Sequence, residues 1–226
     1  MEEALVPYPV TESMASGVAW PFADQPFAPL SLREGSPAYI TGGPQPLGQL
    51  QNAYIVAQGQ EGLLAVDQHA AHELVLYEQL MAGRETHPLS PPLRIELTQR
   101  EAELLTPFLT AFVDLGLELE SFGGNAFLLR GLPAALVGSQ PNELVAGLLG
   151  ELPGYQALDP ESVRERLAMK AACTSAIKAG DILSQEQMVG LLNSLEAAWS
   201  PATCPHGRPA FVLLTTEELE RRFMRR

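Results

Sequence analysis

The sequence is short of cysteine, of lysine and of long apolar runs, and each shortage excludes something. Two cysteines, Cys173 and Cys204, cannot build a disulfide framework. A reducing, cytoplasmic compartment is the simpler expectation. No stretch approaches the roughly 20 apolar residues that span a bilayer, so no membrane partner is expected. No basic segment followed by an apolar one marks a secretion signal. Lysine occurs only at Lys170 and Lys178, and 14 Lys and Arg stand against 27 Asp and Glu, a formal net charge of −13. That balance excludes a general nucleic-acid binder held by phosphate contacts alone. The charge is uneven, however: residues 164–226 carry nine basic against seven acidic residues, and the remainder five against twenty. An anionic partner should therefore meet the C-terminal third, although a few ordinary basic helices would give the same count. There is no internal repeat, and "SFGGN" suits a hairpin turn better than a phosphate-cradling loop.

Apolar residues make up 46% of the 226 positions, enough for one large domain or two modest ones. Residues 1–45 are rich in Pro, Gly, Ser and Ala without a sustained period and read as a flexible linker. "LQNAYIVAQ" and "GLLAV" are β-rich runs joined by the turn signal "GQEG", which predicts a hairpin. A Pro-rich joint, "ETHPLSPP", precedes a different pattern. Here "LRIEL" predicts a short strand, and Thr98 with Glu101 a capping box. Its helix carries Leu104, Leu105, Phe108, Leu109 and Phe112 on one side. "GLELESF" and "AFLLRGL" around "GGN" predict a second hairpin, and "PNELVAGLLGEL" a helix. Asp159-Pro160 signals a helix start, with the helix running to Ala179 and Gly180 as its end. Ser184 and Gln187 open another helix, "WSPATCPHGRP" is a loop, "AFVLL" a strand and "TTEELERRFMRR" a terminal helix. The mixture is an α+β fold containing a compact β-α-β-β-α block.

The chemistry concentrates in "VDQHAAHELVLYEQL", residues 66–80, where one Asp, two His and two Glu fall within twelve positions. With Asp67 ending a strand and a helix beginning near His69, His69 and Glu73 share a face at i, i+4 spacing. Asp, Glu and neutral His all ligate zinc or manganese, but a polar helix face turned to water gives the same pattern. The zinc-protease signature H-E-x-x-H is excluded, because Leu76 occupies the second histidine position. A second cluster, Cys204 and His206, flanks Pro205 in a stiff loop and is a cytosolic metal signal. Cys173 lies in a helix of small residues and reads as core before ligand. His87, in the Pro-rich joint, has no evident partner. Asp67, His69, Glu73, Cys204 and His206, with Cys173, exceed the four ligands of one tetrahedral zinc. The excess implies two neighbouring ions, which suit phosphodiester cleavage, or members that support ligands without touching metal.

Asp67-Gln68-His69-Ala70, Glu73 and Glu78 together resemble the D-Q-H-A-x-x-E-x-x-x-x-E motif of the MutL endonucleases. "ACTSAIKA" at 172–179 is similar to that family's A-C-x-x-A-I-K-A helix, and "CPHGRP" at 204–209 matches its C-P-H-G-R-P loop. The resemblance implies the C-terminal endonuclease and dimerisation region of a DNA mismatch repair protein. Members nick one strand of duplex DNA, usually with Mn2+, and bind Zn2+ at the same site. It assigns metal-site roles to Asp67, His69, Glu73, Cys204 and His206, adds Cys173, and makes Glu78 a supporting residue. Lys178 and Arg208 are candidate phosphate contacts. The implied architecture has two lobes: 46–86 with 160–226 for dimerisation and metal, and 87–159 as an inserted regulatory lobe. The implied partners are a second copy of the chain, duplex DNA and a MutS-type mismatch sensor. ATP would bind an N-terminal part absent here, with 1–45 as tether. A sliding clamp binds many relatives, but its peptide motif is degenerate here: "HPLSPP" has His87 where Gln is expected. The rival reading is a non-catalytic dimerisation module holding one structural zinc on Cys204, His206, His69 and Glu73.

Overall fold

The structure is a computed structural model and describes residues 43–83, 85–197 and 209–225. Residues 1–42 of the expected linker lie outside the described residues, as does the Cys204–His206 loop. The described chain is α+β, with two antiparallel sheets. The first has the order β1 (Gln45–Leu50), β2 (Tyr54–Gln58), β3 (Gly62–Asp67), β7 (Phe211–Thr215). The second has the order β4 (Thr86–Glu96), β6 (Ala126–Pro133), β5 (Leu119–Ser121). The α-helices are α1 (Gln68–Ala82), α2 (Gln99–Leu105), α3 (Leu109–Asp114), α4 (Pro141–Glu151), α5 (Pro160–Ser175), α6 (Gln185–Ala197) and α7 (Thr216–Arg222). Among the described residues no helix is long and apolar enough to cross a membrane.

The first hairpin forms where alternation puts Ile55 opposite Val66 and Ala57 opposite Leu64, all buried, with Gly59 N–H closing the turn on Gly62 O at 2.9 Å. "LQNAYIVAQ" is not one strand. Gln51 and Asn52 are left-handed (φ 52° and 50°), and a turn there folds β1 back onto β2. Asn tolerates that region better than β-branched residues do, and no alternation rule registers the turn. Gly62 is required by packing: a Cβ there would lie 2.1 Å from Leu214 O across the β3–β7 ladder.

The Pro-rich joint is also strand. β4 takes in Thr86 to Pro92 as well as "LRIE" of the expected "LRIEL", and its pairing with β6 is interrupted between Pro88 and Leu93. β4 is an edge strand, where prolines lose nothing by lacking a ladder donor. The Thr98–Glu101 capping box is present. Pro107 then splits the expected single helix into α2, a short 3-10 turn at Thr106–Phe108 and α3. Asp159 caps α5 as expected, its side chain accepting from Ser162 N. α5, however, stops at Ser175 instead of Ala179. Ala176 is extended (φ −64°, ψ 148°), and the Lys178 ammonium takes the last carbonyls, at 2.8 Å from Cys173 O and 3.2 Å from Thr174 O. α7 likewise ends at Arg222, short of the chain end, with Met224 left-handed (φ 53°).

Two apolar clusters result, and α1 belongs to both. Leu76 and Leu80 join the second sheet, α3, α4 and α5 through residues such as Leu129, Phe112, Leu148 and Leu167. Ala71, Leu74 and Val75 join Ile55, Val66, Leu191, Leu192 and Leu213 of the first sheet and α6. Fully buried Ala168, Ala171 and Ala172 on α5 leave room for the α1 and α5 backbones to approach closely. α1 is thus packed along its length, its first turns, which carry the motif, in the cluster of the first sheet and its last turns in that of the second.

Candidate functional site

The site begins where β3 becomes α1. Asp67 pairs with Tyr54 in the sheet, and its backbone N–H donates to Ala210 O at 2.9 Å. Its Oδ1 then accepts from His69 N and Ala70 N at 3.0 Å each. Two of the helix's otherwise unpaired amides are thereby satisfied, and the next residues are committed to helical spacing. His69 and Glu73 fall on one face as expected, with Nε2 and Oε1 3.3 Å apart.

The state of this pair follows from its other contacts. His69 Nδ1 lies 2.8 Å from Ile177 O. A carbonyl only accepts, so Nδ1 carries a proton, and in the neutral ring the lone pair is on Nε2. That lone pair faces a carboxylate oxygen, which is also an acceptor. A proton or a cation must lie between them. Glu73 is only 4% exposed, and a buried carboxylate is costly unless compensated. The Cys173 thiol hydrogen-bonds Glu73 from α5. Burial pushes that thiol's pKa up, the Glu73 hydrogen bond and charge push it further, and Lys178 and Lys170 oppose them. The thiol form is therefore favoured with protein partners alone. A thiolate, which a metal needs, would have to be stabilised by the metal itself.

His72, not among the expected site residues, sits beside this pair. Its Nδ1 accepts the Ile177 N–H at 2.9 Å, and burial, then the charge of His69, hold its pKa below the ordinary value. One residue, Ile177, is therefore gripped at both its N–H and its carbonyl by imidazoles about one helical turn apart. Gln68, within the motif, is a second residue to which the sequence assigns no site role. It is fully buried and makes four side-chain hydrogen bonds. Once buried, a polar amide must find partners, and here they are backbone groups distant in sequence.

The remaining expected residues are placed unequally. Glu78 is half-buried near Tyr77, whose phenol bonds Glu165 at 3.3 Å. Lys178 is exposed and caps α5. Cys204, His206 and Arg208 lie outside the described residues. Among the described residues no three or more His, Cys, Asp or Glu side chains are grouped so as to hold an ion by themselves. The structure brings together His69, Glu73 and Cys173 as a chain of contacts and gives Asp67 Oδ1 to the helix cap.

These features define an α+β domain with two antiparallel sheets and, at the start of its central helix, a partly buried imidazole–carboxylate–thiol cluster. A family model described as the MutL C terminal dimerisation domain matches residues 47–183, more than half the chain, including Asp67–Glu78 and Ala172–Ala179. The chain is 37% identical over 219 residues to the DNA mismatch repair protein MutL of Symbiobacterium thermophilum, covering 93% of this chain and 34% of that protein. It is 42% identical over 184 residues to the protein of the same name from Pelotomaculum thermopropionicum, covering 79% of this chain and 30% of that one. The chain belongs to the MutL C-terminal dimerisation domain family. It spans about a third of the length of these relatives.

Proposed function

We propose that the chain is the endonuclease and homodimerisation domain of a DNA mismatch repair protein, making single-strand nicks in duplex DNA with a divalent cation. The observation that carries the reading is the His69–Glu73 pair. With the imidazole neutral, two acceptors face each other at 3.3 Å, and the other imidazole nitrogen is already committed to Ile177 O. Their nitrogen and oxygen donors fit zinc or manganese. Asp67, Cys204 and His206 would complete the ligand set, with Cys173 in reserve on Glu73.

When bound, a divalent cation supplies Lewis-acid chemistry to phosphodiester hydrolysis: it activates water at neutral pH and offsets phosphate charge. The chain's own residues prepare for this. Ile177 fixes the His69 tautomer, and the His69 side chain stays 29% exposed, so the pair is reachable from solvent. Lys178 uses two of its three ammonium hydrogens on α5 carbonyls, which leaves one for a phosphate oxygen; Arg208 is the second candidate. The net charge of −13 implies weak affinity for DNA, so recruitment falls to a MutS-type sensor, a clamp or the ATP-binding part of the longer protein.

The test is nicking of supercoiled plasmid in Mn2+ by the wild type, Asp67→Asn and Glu73→Lys. The reading expects activity only in the wild type, and equal activity in all three would remove the site. If a chelator unfolds the domain instead of merely stopping cleavage, the zinc is structural and the dimerisation module is the better account.

A further inference from the structure

Gln68 stands next to the site, yet its side chain points away from it into a separate polar knot. The two hydrogens of its Nε2 are shared among three carbonyls, Asn52 O at 2.9 Å, Lys178 O at 2.9 Å and Asp181 O at 3.1 Å, and its Oε1 accepts from Gln49 Nε2 at 2.6 Å. Three carbonyls can only accept, so the amide has one possible orientation. Gln49 reinforces the knot: its Nε2 also reaches Asp181 O at 3.1 Å, and its Oε1 accepts from Leu183 N at 2.9 Å. Gly180 N–H adds a bond to Asn52 O at 2.8 Å. Three segments meet here: the left-handed turn after β1, the first residue of α1, and the stretch 176–183 that follows α5.

That stretch carries Ile177, which orients both imidazoles. Having left the helix at Ser175, it runs through residues assigned to no helix or strand until α6, so its carbonyls need side-chain partners to be buried at all. Gln68 and Gln49 supply them. We infer that Gln68 is a positioning residue: its buried amide ties the 176–183 stretch to the start of α1. The Ile177 carbonyl is thereby held where it keeps the His69 proton on Nδ1 and the lone pair on Nε2. The inference rests on the reading of His69 and Glu73 as a cation site for its consequence, but not for its geometry.

The test uses the 226-residue chain with 15N-labelled histidine, of which there are four. Gln68→Met keeps the length and removes every bond. Three quantities are read: circular dichroism for folding, the 15N pattern of His69 for its tautomer, and Mn2+ affinity from the electron paramagnetic resonance of free Mn2+. The expected result is a folded variant whose His69 signals move from the pure Nδ1–H pattern toward a mixture, with Mn2+ affinity down roughly ten- to a hundredfold. A folded variant with the wild-type tautomer and wild-type affinity overturns the inference. Gln49→Met, in the half-buried partner, carries the test if Gln68→Met does not fold. A smaller shift in the same direction supports the inference, and no shift in either readout overturns it. A tautomer change in Gln68→Met, combined with no Mn2+ binding by the wild type, would uphold the positioning role and sink the cation site.

Discussion

Replacing Asp67 separates two roles proposed for one carboxylate. As the N-cap of α1 it accepts two backbone amides at 3.0 Å; as a ligand it would bring negative charge to the cation. Asp67→Asn keeps an oxygen in the capping position and removes the charge, whereas Asp67→Ala removes both. Loss of a cap costs about 1 kcal/mol, and Asn caps about as well as Asp. Because α1 is packed into both apolar clusters, that loss is felt by the whole described fold and not only as a frayed end. With a urea slope of about 2 kcal/mol per molar, Asp67→Ala should move the unfolding midpoint down by about 0.5 M. Asp67→Asn should stay near the wild type, all measured with metal chelated. Both variants should lose Mn2+ affinity. Equal destabilisation of the two would show that capping is not what the carboxylate contributes to folding. Wild-type affinity in Asp67→Asn would remove Asp67 from the ligand set.

Two further outcomes follow from the same contacts. Gly62→Ala places a Cβ 2.1 Å from a backbone oxygen that cannot swing away; β3 and β7 must part, and urea unfolding should register about 1–3 kcal/mol of lost stability. Glu73→Gln puts a neutral amide donor opposite His69 Nε2, so no cation is needed between them. It should be at least as stable as the wild type in chelator but gain nothing from Mn2+, whereas the wild type gains about 2.7 kcal/mol at a hundred times its Kd.

Features written in short-range chemistry are legible in the sequence. The Asp67 position at a strand end, the i, i+4 relation of His69 and Glu73, the Thr98–Glu101 box and the Asp159 cap all depend on neighbours within four residues. What stayed hidden depends on partners far away in the chain. α5 ends four residues early because the chain beyond it is drawn to imidazoles more than a hundred positions upstream. β4 extends through three prolines because it lies at a sheet edge, and no local pattern says which strand is outermost. His72 and Gln68 were in view within the motif. Their roles could not be read, because each is defined by a backbone group of the 176–183 stretch. The Cys204–His206 half of the expected site lies outside the described residues, so its convergence on His69 and Glu73 stands as part of the proposal.

The most direct measurement is an anomalous difference map from crystals of the chain soaked in Mn2+ or Zn2+. The account predicts a peak about 2.0–2.2 Å from both His69 Nε2 and a Glu73 carboxylate oxygen, with Cys204 or His206 among the other ligands. A peak elsewhere, or one at His69 and Glu73 with the 204–206 loop out of reach, would contradict it.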